Sequence, residues 1–232
     1  MTGGLLVAVD TDGVLLNDSY SPVIREFTAR HGVPYTAEVE LAVWGRPQRE
    51  AGRALARICG LDASPEEVVA RFFADRAAYL EREPVQVLPG VPEFLERLRS
   101  AGARLVCYGG RTRSYFDEHL GHLAGYFDRE CPYVDVNAIR PGVREILDRF
   151  GAAPGRALFI DDVSHVAWAC REERVGFIGV PPGGAPGAQR SEMRRAGVRH
   201  TVAGVAEIDD ALLAADSFWE SDTVNSAGRP SG

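Results

Sequence analysis

The sequence contains no lysine, and all 26 of its basic side chains are arginines. A Schiff-base enzyme and a P-loop nucleotide site both need a lysine side chain, so neither kind of site can form in this chain. A cationic contact to a phosphate group must therefore come from arginine or from a bound metal ion, with backbone N–H groups as the other donors. Phosphate chemistry stays open, but its common lysine contact is excluded.

Other features that the sequence lacks bear on where the protein is located and what it binds. No apolar run approaches the length of a membrane span, and the N-terminus lacks the basic and apolar segments of a secretion signal. The four cysteines form no Cys-x-x-Cys pair, so we expect buried thiols and neither disulfides nor metal ligands. The net charge is −7, and no basic cluster is long enough to follow a nucleic-acid backbone. These absences predict a cytoplasmic protein without a nucleic-acid or membrane partner, and leave its oligomeric state open.

The most informative segment lies near the N-terminus. An apolar, β-branched run at residues 5–9 predicts a buried strand, and it ends at Asp10-Thr11-Asp12-Gly13. Residues two apart in a strand point to the same side, so Asp10 and Asp12 can face one small volume. Two such carboxylates stay ionised only beside a cation, and otherwise one of them holds a proton. The segment thus predicts either a metal site or a nucleophile beside a general acid, although a solvated turn gives the same pattern.

The next part of the chain is helical in pattern. Helices are predicted at residues 21–31, 47–59 and 64–82, the last of them opened by a capping box of Ser64 and Glu67. No strand pattern interrupts this stretch. We therefore expect residues 17–86 to form an all-helical unit, called here the helical insertion, within a core made of residues 1–16 and 87–216. Residues 217–232 are polar and small, which predicts a frayed tail.

From residue 88 onward, strand and helix patterns alternate. Short apolar runs predict strands at residues 104–108, 133–134, 157–160, 176–180 and 199–202. The segments between and after them predict helices at residues 92–101, 113–123, 141–150, 164–173 and 205–215. Such alternation is typical of an α/β fold, so we expect a Rossmann-like, doubly wound parallel sheet with helices on both faces.

Ligands of such sheets bind beyond the carboxyl ends of the strands. Besides the first strand, two others end in suggestive residues, namely Gly109-Gly110-Arg111-Thr112 and Asp161-Asp162, while Arg140 lies on a loop before a helix. If these groups converge, the site holds four carboxylates and at least one arginine. Oxygen ligands of this kind suit Mg²⁺.

The motifs, taken in order, resemble those of the haloacid dehalogenase superfamily of aspartate-nucleophile phosphatases. The resemblance is to the branch with an inserted helical cap, which includes phosphoglycolate phosphatase and β-phosphoglucomutase. It covers residues 5–214 and rests on four motifs: Asp10-Thr11-Asp12-Gly13-Val14-Leu15, Leu88-Pro89-Gly90-Val91, Arg140-Pro141 and Ala157-Leu158-Phe159-Ile160-Asp161-Asp162.

The resemblance implies a phosphoryl transfer through Asp10. Asp10 would attack phosphorus and form an aspartyl-phosphate, and Asp12 would protonate the leaving oxygen and later activate water. Arg140 would bind a phosphoryl oxygen. The implied Mg²⁺ ligands are Asp10, the backbone carbonyl of Asp12, and Asp162, with Asp161 as a further ligand or as its neighbour.

The chain departs from the family pattern at the second motif. There the family has a serine or threonine that bonds the phosphate, whereas this chain has Gly109 or, in a shifted alignment, Tyr108. We expect the N–H groups of Gly109 and Gly110 to bind the phosphate, with Thr112 as a substitute hydroxyl. Arg111 is a second candidate cation besides Arg140, which itself replaces the family's lysine.

The resemblance implies a Mg²⁺-dependent phosphatase acting on a small phosphorylated metabolite. A phosphomutase or phosphotransferase of the same family shares the aspartyl-phosphate and stays open. A carbon–halogen hydrolase is disfavoured, because that reaction needs no acid for its leaving group, whereas this chain carries Asp12 two residues after the nucleophile. The altered second motif keeps a third alternative open, a catalytically weak protein that binds phosphorylated ligands.

Overall fold

The computed structural model describes residues 4–184, 186–215 and 217–220. Its centre is a parallel sheet of five strands in the order β3-β2-β1-β4-β5. The strands are β1 (Leu6–Asp10), β2 (Arg104–Gly109), β3 (Tyr133–Asp135), β4 (Ala157–Asp161) and β5 (Gly176–Gly179). The sheet confirms the predicted α/β, Rossmann-like fold.

Apolar packing covers both faces of the sheet. In β1 the side chains of Leu6 and Ala8 join one buried cluster, and those of Val7 and Val9 join another. Neighbouring side chains of a strand point to opposite faces, so a central strand of this kind is apolar throughout. This double burial explains why residues 5–9 form a continuous apolar run.

Four helices lie within residues 17–86, without a strand among the described residues there. They are α1 (Ser21–Arg30), α2 (Ala37–Val43), α3 (Gln48–Ile58) and α4 (Pro65–Leu80). The predicted capping box is present, because Ser64 accepts from the N–H of Glu67 while the Glu67 side chain accepts from Ser64. Helix α2 was not predicted; it has seven residues and begins after Thr36, whose hydroxyl accepts from Val39 N.

The remaining helices flank the sheet. They are α5 (Val91–Ser100), α6 (Arg113–Leu120), α7 (Val143–Phe150), α8 (Ser164–Glu173), α9 (Ala188–Arg195) and α10 (Asp210–Leu213). Helix α8 has the predicted bounds, and α7 begins two residues later than predicted, after Gly142, whose φ is +74°. Helix α9 was missed, because its eight residues include a run of polar side chains that hides its buried face.

Two predictions for the C-terminal part were wrong. Residues 199–202 do not form a strand, and only a single bridge joins Thr201 to Gly179 at the end of β5. The helix predicted at 205–215 is a 3₁₀ turn over Val205–Glu207 followed by the short α10. Isolated apolar residues on a loop that packs against the sheet produced the strand-like pattern.

The predicted tail also needs correction at residues 217–220. Trp219 stacks on Phe177 at a centroid distance of 6.3 Å, and its indole N–H donates to the Val175 carbonyl at 3.0 Å. The backbone of Glu220 donates to the Gly197 carbonyl. Residues 221–232, the rest of the predicted tail, lie outside the described residues.

A search of the described helices for a membrane span found none that combines the necessary length with the necessary apolar character.

Candidate active site

Three carboxylates meet at the carboxyl ends of β1 and β4. These strands are paired, with Val9 opposite Ile160, so Asp10 and Asp161 end adjacent strands and Asp162 follows directly. One carboxylate oxygen from each aspartate lies within 4.8 Å of the others, and all three side chains are buried. The predicted convergence of the first and fourth motifs is therefore present.

The charge in this group is only partly balanced. Arg140 is the nearby cation, with its Nη2 atom 3.6 Å from Asp10 Oδ1. At that distance it makes no hydrogen bond, and Asp10 Oδ1 is a buried oxygen without any hydrogen-bond partner among the described residues. Burial, and after it the charge of Asp161, raise the pKa of Asp10 well above its ordinary value. Three buried carboxylates facing one arginine, with an orphaned oxygen among them, are suited to a divalent cation.

The three aspartates are held differently. Both oxygens of Asp161 accept hydrogen bonds, from the Tyr108 hydroxyl at 2.5 Å and from Val163 N at 2.7 Å. Tyr108, which stands at the second-motif position in the shifted alignment, thus orients Asp161. The Asp162 carboxylate lies against Gly13, where an added Cβ would come within 2.3 Å of Asp162 Oδ2. With a φ of +88°, position 13 requires glycine for both reasons.

The carboxylate of Asp12 lies outside this group, so three of the four expected carboxylates come together, and the ligand expected from Asp12 is its backbone carbonyl. Its Oδ1 atom accepts from the Tyr115 hydroxyl at 2.7 Å and lies 3.5 Å from Arg76 Nη2. Burial raises the pKa of Asp12, and the charge of Arg76 opposes the shift. A carboxyl group with a raised pKa is suited to donate a proton, so this arrangement favours the acid–base role and leaves the backbone carbonyl as the candidate ligand.

A hydroxyl from an unexpected residue stands at the second motif. If Gly109 carried a Cβ atom, that atom would lie 2.3 Å from Thr11 Oγ1. The Thr11 side chain therefore occupies the space that a serine or threonine at position 109 would need. Gly110 is tight as well, since an added Cβ would lie 3.3 Å from the Arg140 guanidinium. The two glycines thus admit Thr11 and Arg140 close to the end of β2.

Thr112 is placed differently from the prediction, whereas the charge of Arg111 still acts on Asp12 and, against the larger effect of burial, lowers the pKa of that carboxyl group. The Thr112 hydroxyl is exposed and pairs with the Ser114 hydroxyl at 2.8 Å, so it is not aimed at the carboxylates. The Arg111 guanidinium lies over Phe73 of the helical insertion, 4.5 Å from the ring centroid. Arg111 therefore contacts the helical insertion, whereas Thr112 stays at the surface.

The helical insertion lies directly over these groups. The Gln48 side chain donates to the Gly110 carbonyl at 2.9 Å, and its backbone N–H donates to Asn137 Oδ1 at 3.0 Å. Gly45 approaches Val163 so closely that a Cβ would lie 2.5 Å from it. Between the insertion and the sheet lies a cavity of about 120 Å³ that reaches Asp10, Asp12, Arg140 and Asp162.

Sequence reasoning missed several residues of the site. Arg76 is a buried arginine on α4, and it donates to Ser19 Oγ at 3.0 Å and to the Tyr115 hydroxyl at 2.9 Å. A cationic residue on the apolar face of α4 was a signal that could have drawn attention to it. Thr11 and Gln48 gave no such signal, because their roles depend on which residues approach them from distant segments.

The model of the haloacid dehalogenase-like hydrolase family matches residues 5–171. Among functionally curated proteins, none matches the chain significantly.

Solved structures share the fold at low sequence identity. A candidate β-phosphoglucomutase from Thermotoga maritima is 23% identical over 88% of this chain and 95% of its own, with a TM-score of 0.57. A haloacid dehalogenase family hydrolase from Deinococcus radiodurans, with bound phosphate and sodium, is 20% identical over 91% and 95%, with a TM-score of 0.59. A mutant of CbbY from Rhodobacter sphaeroides, in complex with xylulose-1,5-bisphosphate, is 17% identical over 88% and 96%, with a TM-score of 0.62.

Proposed function

The chain belongs to the haloacid dehalogenase-like hydrolases, and we propose that it is a Mg²⁺-dependent phosphatase of small phosphorylated metabolites. The observation that carries the proposal is the orphaned oxygen of Asp10, buried beside Arg140 and the pair Asp161-Asp162. A buried carboxylate at the end of a central strand, next to a cation and open to a cavity, has the attributes of a nucleophile.

In the proposed reaction Asp10 attacks the phosphorus atom and forms an aspartyl-phosphate while the bond from phosphorus to the leaving oxygen breaks. The protonated Asp12 carboxyl gives its proton to that oxygen, and the released alcohol departs. The Asp12 carboxylate then takes a proton from water, which attacks phosphorus and frees both inorganic phosphate and Asp10. The raised pKa of Asp12 and its hydrogen bond from Tyr115 support this double role.

The carboxylates at the ends of β1 and β4 would hold the metal ion. Asp10, Asp162 and the backbone carbonyl of Asp12 are the proposed ligands, with Asp161 as a further ligand or as the oriented neighbour of Asp162. When bound, Mg²⁺ supplies positive charge that offsets both the carboxylates and the phosphoryl oxygens. Arg140 supplies a second positive charge from the chain itself, and its place against Gly110 orients it toward Asp10.

The phosphoryl oxygens would receive hydrogen bonds from the loops after β1 and β2. We assign one of these to the Thr11 hydroxyl, which takes the space of the missing serine or threonine at position 109. The N–H groups of Gly109 and Gly110 remain proposed donors. Thr112 is not included, because it pairs with Ser114. Arg111, whose buried Nε has no hydrogen-bond partner among the described residues, stays a second candidate cation.

The helical insertion of residues 17–86 is proposed as a cap that excludes water during transfer, over a core of residues 1–16 and 87–216. Arg76 of this cap reaches the Tyr115–Asp12 pair, so closure of the cap and the placement of the acid would be linked. A phosphomutase is the second candidate, because one structural neighbour is a candidate β-phosphoglucomutase. It needs the same aspartyl-phosphate, and the identity of the product separates the two reactions.

The test is release of inorganic phosphate from p-nitrophenyl phosphate and from a panel of sugar phosphates and nucleotides, with 5 mM Mg²⁺ and with EDTA. We expect Mg²⁺-dependent release, and a loss of about a thousandfold or more in Asp10→Asn. Isomerised phosphoesters without free phosphate would favour the mutase. No turnover of any ester would leave a protein that only binds phosphorylated ligands.

A further inference from the structure

The cavity that adjoins Asp10 is apolar over most of its wall. On the sheet side it meets the charged groups of Asp10, Asp12 and Arg140. On the side of the helical insertion, side chains from all four of its helices form the wall, among them Tyr20, Ile24, Val43, Leu55, Val69 and Phe72. A molecule held by its phosphoryl group at Asp10 would therefore project its leaving group against hydrocarbon.

Three polar side chains of the wall, those of Asp18, Gln48 and Asn137, are engaged in holding the backbone. Asp18 Oδ1 accepts from Tyr20 N at 2.8 Å, and the Gln48 amide donates to the Gly110 carbonyl. Asn137 Oδ1 accepts from Gln48 N. The arginine of the wall on the insertion side, Arg46, is exposed to solvent. Besides these, the polar groups of the wall on this side are the Tyr20 hydroxyl and the buried Trp44 Nε1, which has no hydrogen-bond partner in the described part of the chain, so the wall offers few partners for the several hydroxyls of a sugar.

We propose, resting on the phosphatase function above, that the substrate is a phosphate monoester of a small apolar alcohol. A cavity of about 150 Å³ lined by Leu, Ile and Phe holds one benzene molecule. The cavity of about 120 Å³ here must also admit the phosphoryl group beside Asp10, so it suits a leaving group no larger than one ring. The leaving group carries one aromatic ring or a short alkyl chain. Its single polar atom is the bridging oxygen, which faces the Asp12 carboxyl group.

Apolar burial then sets the order of substrates. Each methylene moved from water into such a wall improves binding about fourfold, until the cavity is full. A hydroxyl moved there without a hydrogen-bond partner weakens binding by about tenfold. Together these effects predict that phosphates of apolar alcohols are better substrates than polyol or sugar phosphates. An enzyme for polyol or sugar phosphates would show the reverse order.

The experiment compares kcat/KM for methyl, propyl, butyl and benzyl phosphate with that for glycerol 1-phosphate, all with Mg²⁺. Their leaving alcohols have similar acidity, so differences report the fit of the leaving group. We expect kcat/KM to rise along the alkyl series, and benzyl phosphate to exceed glycerol 1-phosphate by at least about tenfold. An equal or greater value for glycerol 1-phosphate would overturn the inference while leaving the phosphatase intact.

A variant of the wall gives a second measurement. Val69→Thr adds a hydroxyl to the wall at nearly unchanged size, and it is expected to lower the benzyl-to-glycerol ratio of kcat/KM severalfold. Ala70→Thr is the matched control, since it places the same hydroxyl on the exposed side of α4 and should leave the ratio unchanged. Equal ratios in both variants would count against the wall as the selecting surface.

Binding without turnover separates the two hypotheses. Calorimetry with Mg²⁺ compares benzylphosphonate with 3,4-dihydroxybutylphosphonate, neither of which can be hydrolysed. Tighter binding of benzylphosphonate supports the apolar pocket even if no ester is cleaved, in which case only the phosphatase proposal fails. Tighter or equal binding of the dihydroxy compound contradicts the pocket inference whether or not esters are cleaved.

Discussion

The hydroxyl of Tyr115 donates a hydrogen bond to Asp12 Oδ1 at 2.7 Å, and the guanidinium of Arg76 donates in turn to that hydroxyl. The chain of donors runs from the helical insertion to the proposed acid–base group. It favours the carboxylate form of Asp12, against the burial that favours the protonated form. The balance of these two effects determines the pH at which Asp12 changes its protonation state.

Removal of the Tyr115 hydroxyl is expected to move the pH profile. Because this hydrogen bond lowers the pKa of Asp12, Tyr115→Phe raises it. Formation of the aspartyl-phosphate needs protonated Asp12, so the alkaline limb of kcat/KM should move upward by about one pH unit. The measurement is kcat/KM for an alkyl phosphate from pH 5 to 10. Tyr126→Phe, at a tyrosine whose ring packs against Arg99, serves as control, and an unmoved limb in Tyr115→Phe would contradict the assignment.

The Thr11 hydroxyl is expected to bind the phosphoryl group. Thr11→Val keeps the shape but removes the donor, and should lower kcat/KM about a hundredfold. Thr11→Ser keeps the hydroxyl and should stay within about tenfold of the parent. Steady-state kinetics with p-nitrophenyl phosphate, together with thermal unfolding of each variant, check this outcome. Equal activities of the valine and serine variants, at equal stability, would remove Thr11 from the site.

A serine at position 109 is expected to destabilise the protein when it is introduced alone, but not when it is combined with Thr11→Ala. In Gly109→Ser the new Cβ would lie 2.3 Å from Thr11 Oγ1, so the free energy of unfolding should fall by about 2 kcal/mol. Thr11→Ala removes that oxygen and leaves the Tyr133 hydroxyl at 3.2 Å and the Cβ of residue 11 at 3.5 Å as the nearest atoms.

The double variant should therefore unfold close to Thr11→Ala alone, with a coupling free energy of about 2 kcal/mol between the sites. Urea unfolding of the four proteins measures this coupling. Additive effects of the two substitutions would show that the side chains at positions 11 and 109 do not compete for one space.

The stability of the metal-free protein is expected to depend on Asp162. Burial, and then the charge of Asp161, raise the pKa of Asp162 in the folded state. The stability contributed by the group is therefore complete below its unfolded pKa and is lost as pH rises through the folded pKa. Asp162→Asn should be more stable than the parent by about 1–3 kcal/mol at pH 8 in EDTA, and about equal at pH 4.

Added Mg²⁺ should reverse this order at pH 8, because the parent gains binding free energy that the variant lacks. Urea unfolding in EDTA and in 5 mM Mg²⁺ checks both parts. The exposed Asp62 gives the control, Asp62→Asn, which should change neither the pH dependence nor the response to the metal ion. A parent that Mg²⁺ does not stabilise would contradict the metal site.

The fold could be predicted from local patterns wherever a segment is strongly apolar. Residues 5–9 and 157–160 are continuous apolar runs because both faces of a central strand are buried. The aspartates that follow these strands were found for the same reason. Helices α2 and α9 were missed because they are short and are held by contacts with other segments, which a local pattern does not show. One such contact is the hydrogen bond from Gln189 N to Glu40 Oε1.

The rest of the site depends on pairs that are distant in sequence. Nothing local to Thr11 indicates that its hydroxyl fills the space at Gly109, and nothing local to Tyr115 indicates a bond to Asp12. Thr112 was an attractive substitute because it lies close to position 109 in sequence, yet it precedes α6 at the surface, where its hydroxyl pairs with that of Ser114. Composition and spacing are enough to predict where the strands end. Which side chains from distant segments meet at the site can be seen only in the folded structure.

The most direct test of the account is the trapping of a phosphoryl group on Asp10. In Asp12→Asn with p-nitrophenyl phosphate and Mg²⁺, nitrophenolate leaves without an acid, whereas release of phosphate from the protein is slowed. The account predicts a burst of about one nitrophenolate per active site, and borohydride reduction should then convert residue 10 to homoserine in the digested protein. A burst whose phosphoryl group is found on another residue, or steady turnover with residue 10 unmodified, would contradict the account.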